Sequence, residues 1–126
     1  MAYKILLVDD EPDFLSVVRM RLSKAGYDVI CAKDGKDALD HLRLKIPDII
    51  ITDVMMPVMD GIDLFQELRN RPDTKDIPII VITVKDRLEA SFKAVGVDEF
   101  IAKPFEIEDL LKKVQKCLFK KTATAD

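Results

Sequence analysis

Five short aliphatic runs, each followed by a stretch of helical spacing, constrain this chain more than any other feature. The runs lie at 4–8, 28–32, 48–52, 78–82 and 98–102. They are nearly unbroken Ile, Val and Leu rather than alternating, the pattern of strands covered on both faces of a parallel sheet. In the first intervening stretch Phe14, Leu15, Val18 and Leu22 share one helical face, Pro12 suits the opening turn and Gly26 is a stop signal. The second carries Ala38, Leu39 and Leu42 and ends before Pro47; the third carries Leu64, Phe65 and Leu68 and ends before Pro72. The fourth has Leu88, Phe92 and Val95 and stops at Gly96. The fifth steps by threes and fours through Ile107, Leu110, Leu111, Val114, Cys117 and Leu118. Five strand–helix pairs predict an α/β fold: a (βα)5 doubly wound, five-stranded parallel sheet with helices on both faces and right-handed crossovers.

The chain's 126 residues hold one domain, assigned to 1–120, with residues 121–126 read as a short, disordered polar tail. No repeat or Gly/Ser/Pro-rich linker divides it. The net charge of −3 argues against direct nucleic-acid binding, which calls for a basic surface. No apolar run approaches the roughly 20 residues of a membrane span. The N-terminus leads straight into a strand-like run without an apolar signal region, so a cytoplasmic protein is expected. Cys31 and Cys117 lack CxxC spacing and read as small core hydrophobes rather than as a disulfide framework or a zinc site.

Ligands of open α/β sheets bind beyond the carboxyl ends of the strands. The residues there are Asp9, Asp10 and Glu11 after the first run, Lys33 after the second and Asp53 after the third. Thr83 follows the fourth, and Lys103 with Pro104 the fifth. A nucleotide site would need glycines in the first turn, so that backbone N–H groups could reach phosphate. That turn reads Asp-Asp-Glu-Pro-Asp and repels anions. Clustered carboxylates suit a hard, oxygen-liganded cation, which relieves their mutual repulsion. A carboxylate beside such a cation and a lysine is equipped to attack phosphorus.

Taken together, Lys4-Ile-Leu-Leu-Val-Asp-Asp10, Asp48-Ile-Ile-Ile-Thr-Asp53, Met56-Pro57 with Asp60-Gly61, Ile80-Val-Ile-Thr83 and Phe100-Ile-Ala-Lys103-Pro104-Phe105 resemble the receiver domains of two-component response regulators. Each motif alone is weak; all five in order and at these separations are specific, and they span roughly residues 3–119. The resemblance implies the flavodoxin-like strand order 2-1-3-4-5. It implies Asp53 as phosphoacceptor, and Mg²⁺ (or Mn²⁺) held by Asp9, Asp10, Asp53 and the Met55 carbonyl. It makes Thr83 and Lys103 phosphoryl-binding groups, Thr83 with Phe100 the conformational switch, and the Lys103–Pro104 bond cis. The implied donor is a sensor histidine kinase or phosphotransfer protein. The implied output is an effector that reads the face made by the fourth helix, fifth strand and fifth helix. Such a domain is no enzyme beyond catalysing its own phosphorylation and autodephosphorylation, and it is a monomer or a weak phosphorylation-dependent dimer. Departures from the common pattern are Val84 in place of a small residue, Phe100 lacking the hydroxyl of the commoner tyrosine, and Glu106 as a weak helix cap. Met55 and Lys85 hold positions that tune water access in similar proteins.

Two other classes deserve weighing. An unphosphorylated interaction module would not need Asp9, Asp10, Asp53, Thr83 and Lys103 together. A phosphohydrolase of the haloacid-dehalogenase type wants a second Asp two residues after its nucleophile, where this chain has Met55. Each residue alone has a plain structural reading: acids at turns, Phe100 in the core, Lys103 solvated. The lysines at 112, 113, 116, 120 and 121 read as the wet face of the last helix, and His41 as half of a surface pair with Asp37.

Overall fold

The computed structural model describes residues 2–54, 59, 61–84 and 97–125. Five strands, β1 (Lys4–Val8), β2 (Asp28–Ala32), β3 (Ile49–Asp53), β4 (Ile79–Val84) and β5 (Glu99–Lys103), form one sheet. All neighbours are parallel and the order is β2-β1-β3-β4-β5, the doubly wound arrangement expected. Helices α1 (Pro12–Lys24), α2 (Gly35–Leu44) and α3 (Gly61–Arg69) follow the first three strands, and a C-terminal helix (Ile107–Ala125) follows the fifth. The segment expected to form the fourth helix, with Leu88, Phe92 and Val95, lies outside the described residues, as does Met55.

The last three strands start one residue later than the hydrophobic runs suggested, after Asp48, Pro78 and Asp98. Asp48 Oδ2 accepts the Lys4 backbone N–H at 2.8 Å, and Asp98 Oδ2 accepts the Ile79 N–H at 2.8 Å. Each carboxylate thus satisfies the first donor of a neighbouring strand. Asp98 also meets Arg69 at 2.7 Å, and the Arg69 guanidinium donates to the carbonyls of Lys75 and Ile77. That one side chain ties the end of α3 to the entrances of β4 and β5.

Side-chain alternation divides the core into two layers. Ile5, Leu7, Ile49, Ile51, Ile80, Ile82 and Ile101 face Val18 and Leu22 of α1 and Leu110, Val114 and Leu118 of the C-terminal helix. Leu6, Val8, Ile50, Ile79 and Val81 face Ala38 and Leu42 of α2 and Leu64, Phe65 and Leu68 of α3. Local signals agree with the elements. Asp34 caps α2 by accepting the Asp37 N–H at 2.7 Å, and Gly26 turns the chain after α1 at φ 100°, a backbone angle that suits glycine. Cys117 is buried and Cys31 half-buried, and the two do not form a disulfide.

The C-terminal boundary needs correction. The expected disordered tail from 121 is instead helical as far as Ala125. Residues 120–125 are Lys, Thr and Ala with no Gly or Pro, so nothing in the sequence stops a helix that is already nucleated.

Truncating Leu64, which is fully buried under the sheet, to alanine is expected to cost about 2–5 kcal/mol. Urea unfolding checks this: the midpoint should fall with the slope unchanged.

Candidate functional site

The alternation that builds the core also aims the site. Asp9 continues the row of Ile5 and Leu7, Asp53 that of Ile49 and Ile51, and Lys103 that of Ile101. All three therefore emerge at the carboxyl edge on the side covered by α1 and the C-terminal helix. The ladder persists one step past β1, where the Asp9 N–H donates to the Ala32 carbonyl at 3.1 Å. Asp53 and Lys103 are the closing residues of β3 and β5, and Thr83 lies inside β4 rather than after it. Backbone pairing thus fixes the strand positions of these candidate residues.

Lys103 Nζ lies 3.3 Å from Asp53 Oδ2 and 3.4 Å from Asp9 Oδ2. Asp9 is fully buried, Asp53 nearly so, Thr83 is buried near the end of β4, and Asp10 is exposed. Carboxylate oxygens of Asp9, Asp10 and Asp53 gather within 4.8 Å of one another. The second oxygen of Asp9 accepts the Glu11 N–H at 2.9 Å, which anchors the loop that presents Asp10. Burial raises the Asp9 pKa to about 6; the Glu11 hydrogen bond opposes that rise, the Asp53 charge reinforces it and the Lys103 charge opposes it. Burial works against the charged form of Lys103, yet Asp53 and Asp9 outweigh it and hold the ammonium above its ordinary pKa.

Three carboxylates against one ammonium leave excess negative charge in a poorly hydrated corner. The donor set is all oxygen, with one exposed ligand to complete a partly hydrated shell. These features fit a hard divalent ion such as Mg²⁺. Among the described residues this is the one cluster with that geometry.

On the opposite layer, Phe100 is register partner of Val81 and Ala102 of Thr83. Phe100 and Thr83 therefore share a face of adjacent strands, offset by two residues in register, and Phe100 packs half-buried against the cluster under α2 and α3. The Lys103–Pro104 peptide is cis, as the sequence resemblance implied.

Two features of the neighbourhood were not legible in advance. Lys103 Nζ sits 4.1 Å above the centroid of the Phe14 ring, and Phe14 meets Phe105 edge-on at 6.1 Å and 83°. In the sequence Phe14 was indistinguishable from the other core positions of its helix. The lysines of the C-terminal helix are more than a wet face: Lys113 and Lys116 reach Glu99 of β5 at 3.0 and 3.3 Å. Burial opposes ionisation of Glu99, but the two ammonium groups prevail and hold its carboxyl below the ordinary value. His41 does meet Asp37, at 3.6 Å.

The family model described as "Response regulator receiver domain" matches residues 5–115. Among solved structures, the signal receiver domain of a signal transduction histidine kinase from Syntrophus aciditrophicus is 34% identical, with a TM-score of 0.87, covering 94% of this chain and 92% of its own. The chemotaxis response regulator CheY4 of Vibrio cholerae is 38% identical, with a TM-score of 0.87, covering 94% of this chain and 100% of its own. The receiver domain of a Pseudomonas aeruginosa sensor histidine kinase is 28% identical, with a TM-score of 0.85 and coverages of 94% and 98%. That structure has a magnesium ion coordinated in its active site cleft.

The Asp9 shift has a sign that can be measured. Between the ordinary value of 3.8 and about 6, the folded protein binds a proton that the unfolded chain has lost. Metal-free stability should therefore fall as pH rises through that window. Thermal melts in chelator are expected to show this decline, and Asp9→Asn to flatten it.

Proposed function

This chain belongs to the response regulator receiver domains, and we propose that it is a phosphorylation switch whose phosphoacceptor is Asp53. The observation that carries the reading is the position of that carboxylate: at the end of a central strand, 3.3 Å from a lysine and clustered with Asp9 and Asp10. Asp53 is nearly buried yet opens toward an exposed acid, so an incoming phosphoryl group can reach it without unfolding the edge. No helix among the described residues is long and apolar enough to cross a membrane.

In the proposed step an Asp53 oxygen attacks the phosphorus of a phosphohistidine on a sensor kinase or phosphotransfer protein. A P–O bond forms in line as the P–N bond breaks, and its electron pair leaves on the imidazole nitrogen. Lys103 stands beside the attacked position and neutralises a phosphoryl oxygen. Asp9, Asp10 and Asp53, with the Met55 carbonyl, are the residues that would hold Mg²⁺ or Mn²⁺. When bound, the ion supplies charge neutralisation to the transferring oxygens. The magnesium in the cleft of the Pseudomonas aeruginosa receiver supports this assignment.

The product carries an added charge of about −1.5 to −2 and strong acceptor oxygens. Thr83 is the nearby hydroxyl that turns toward them. Phe100 shares its face two residues away in register and moves into the space that Thr83 leaves. The change biases two packings of one fold, read by an effector on the face that includes β5 and the C-terminal helix.

A small labelled acyl-phosphate donor with Mg²⁺ tests the assignment. Label should appear on wild type, disappear in chelator and be lost in Asp53→Asn; an undiminished signal from that variant would sink the reading. Thr83→Ala should still accept label at Asp53. It should lose the phosphorylation-dependent change in the Phe100 environment, which ring-resonance NMR reports.

A further inference from the structure

We propose that Phe14 is a positioning residue for phosphoryl transfer, acting through Lys103: its ring holds the ammonium over the acid cluster. The inference rests on the phosphoacceptor reading of Asp53 and adds a part that none of the site acids supplies. Lys103 is long and flexible, and two carboxylates 3.3 and 3.4 Å away fix its tip on one side only. A second side is covered by the face of Phe14, with Nζ 4.1 Å from the ring centroid. A ring face is negative at its centre, so it attracts an ammonium without adding a formal charge.

That distinction matters at this position. A fourth carboxylate would deepen the repulsion among the three clustered acids, and a water would let the lysine swing outward. The ring does neither. It is itself held from behind: Phe105 meets it edge-to-face at 6.1 Å, and both phenylalanines pack against the cluster containing Val18 and Ile101. Phe105 lies two residues beyond Lys103 on the same strand-to-helix connection. The lysine and the group that braces its aromatic wall are therefore tied to one backbone segment, while the wall belongs to α1. The contact fixes the ammonium before the phosphoryl group arrives, so that little reorganisation remains when charge develops on the transferring oxygens.

Two readouts on the intact chain test the proposal. In metal-free, unphosphorylated protein the Lys103 ε-methylene protons should show an upfield ring-current shift in wild type. The shift should persist in Phe14→Tyr and vanish in Phe14→Leu. In the second readout, Asp53 labelling from a small acyl-phosphate donor at saturating Mg²⁺ should slow about 3- to 10-fold in Phe14→Leu. The loss should fall on the maximal rate rather than on the donor concentration for half-saturation, and Phe14→Tyr should restore it. Phe14→Met supplies a second ringless, apolar variant if the leucine variant does not fold. Labelling of both ringless variants at the wild-type rate would overturn the proposal, as would a Phe14→Tyr protein as slow as Phe14→Leu, since apolar bulk alone would then matter. Absence of any label on wild type would overturn the phosphoacceptor reading and, with it, the catalytic half of this one. An absent ring-current shift in wild type would overturn the contact itself, independently of Asp53.

Discussion

One ammonium in a corner of carboxylates is the constraint on which this structure turns. Asp9 and Asp53 cannot both sit ionised and shielded from water without a compensating charge. Lys103 provides it from β5 at the far edge of the sheet, with β3 and β4 between it and β1. The protein thereby uses a long-range contact, between residues 9 and 103, to close an electrostatic gap that local structure cannot close. One positive charge against three acids is still a deficit, and the deficit is what makes the site receptive to a divalent cation.

The sheet exists, in functional terms, to hold that corner in register. Parallel strands covered on both faces are rigid because their side chains interlock with helices in two layers. Period-two alternation then sends Asp9, Asp53 and Lys103 to one side and Thr83 and Phe100 to the other. Charge is gathered in one layer and an apolar reporter is seated in the next. On the proposed reading, a change of charge at Asp53 is felt as a change of packing, with Thr83 at the boundary between the two.

Several contacts at the strand entrances protect this arrangement from slipping. Asp48 and Asp98 satisfy the opening N–H groups of their neighbours. Arg69 joins α3 to two strand starts, and the paired lysines of the C-terminal helix grip Glu99, the residue before Phe100. A one-residue shift of β5 would exchange the layers occupied by Phe100 and Lys103. These polar clasps and the apolar rows therefore specify the same alignment.

The sequence by itself determined the strand–helix alternation, the acids and lysine at strand ends, and the identity of the family, because period and residue order are local properties of the chain. It also carried the cis Lys103–Pro104 bond through resemblance. It read the polar residues from 121 as a tail, whereas the helix continues to Ala125. Tertiary structure alone decided that Phe14 faces Lys103, that Phe105 braces it, that Glu99 collects two lysines, and that Asp9 is buried while Asp10 is exposed. Those facts depend on which elements meet across the sheet. Hydrophobic spacing marks a residue as inward-facing, but it does not name the partner waiting on the other side.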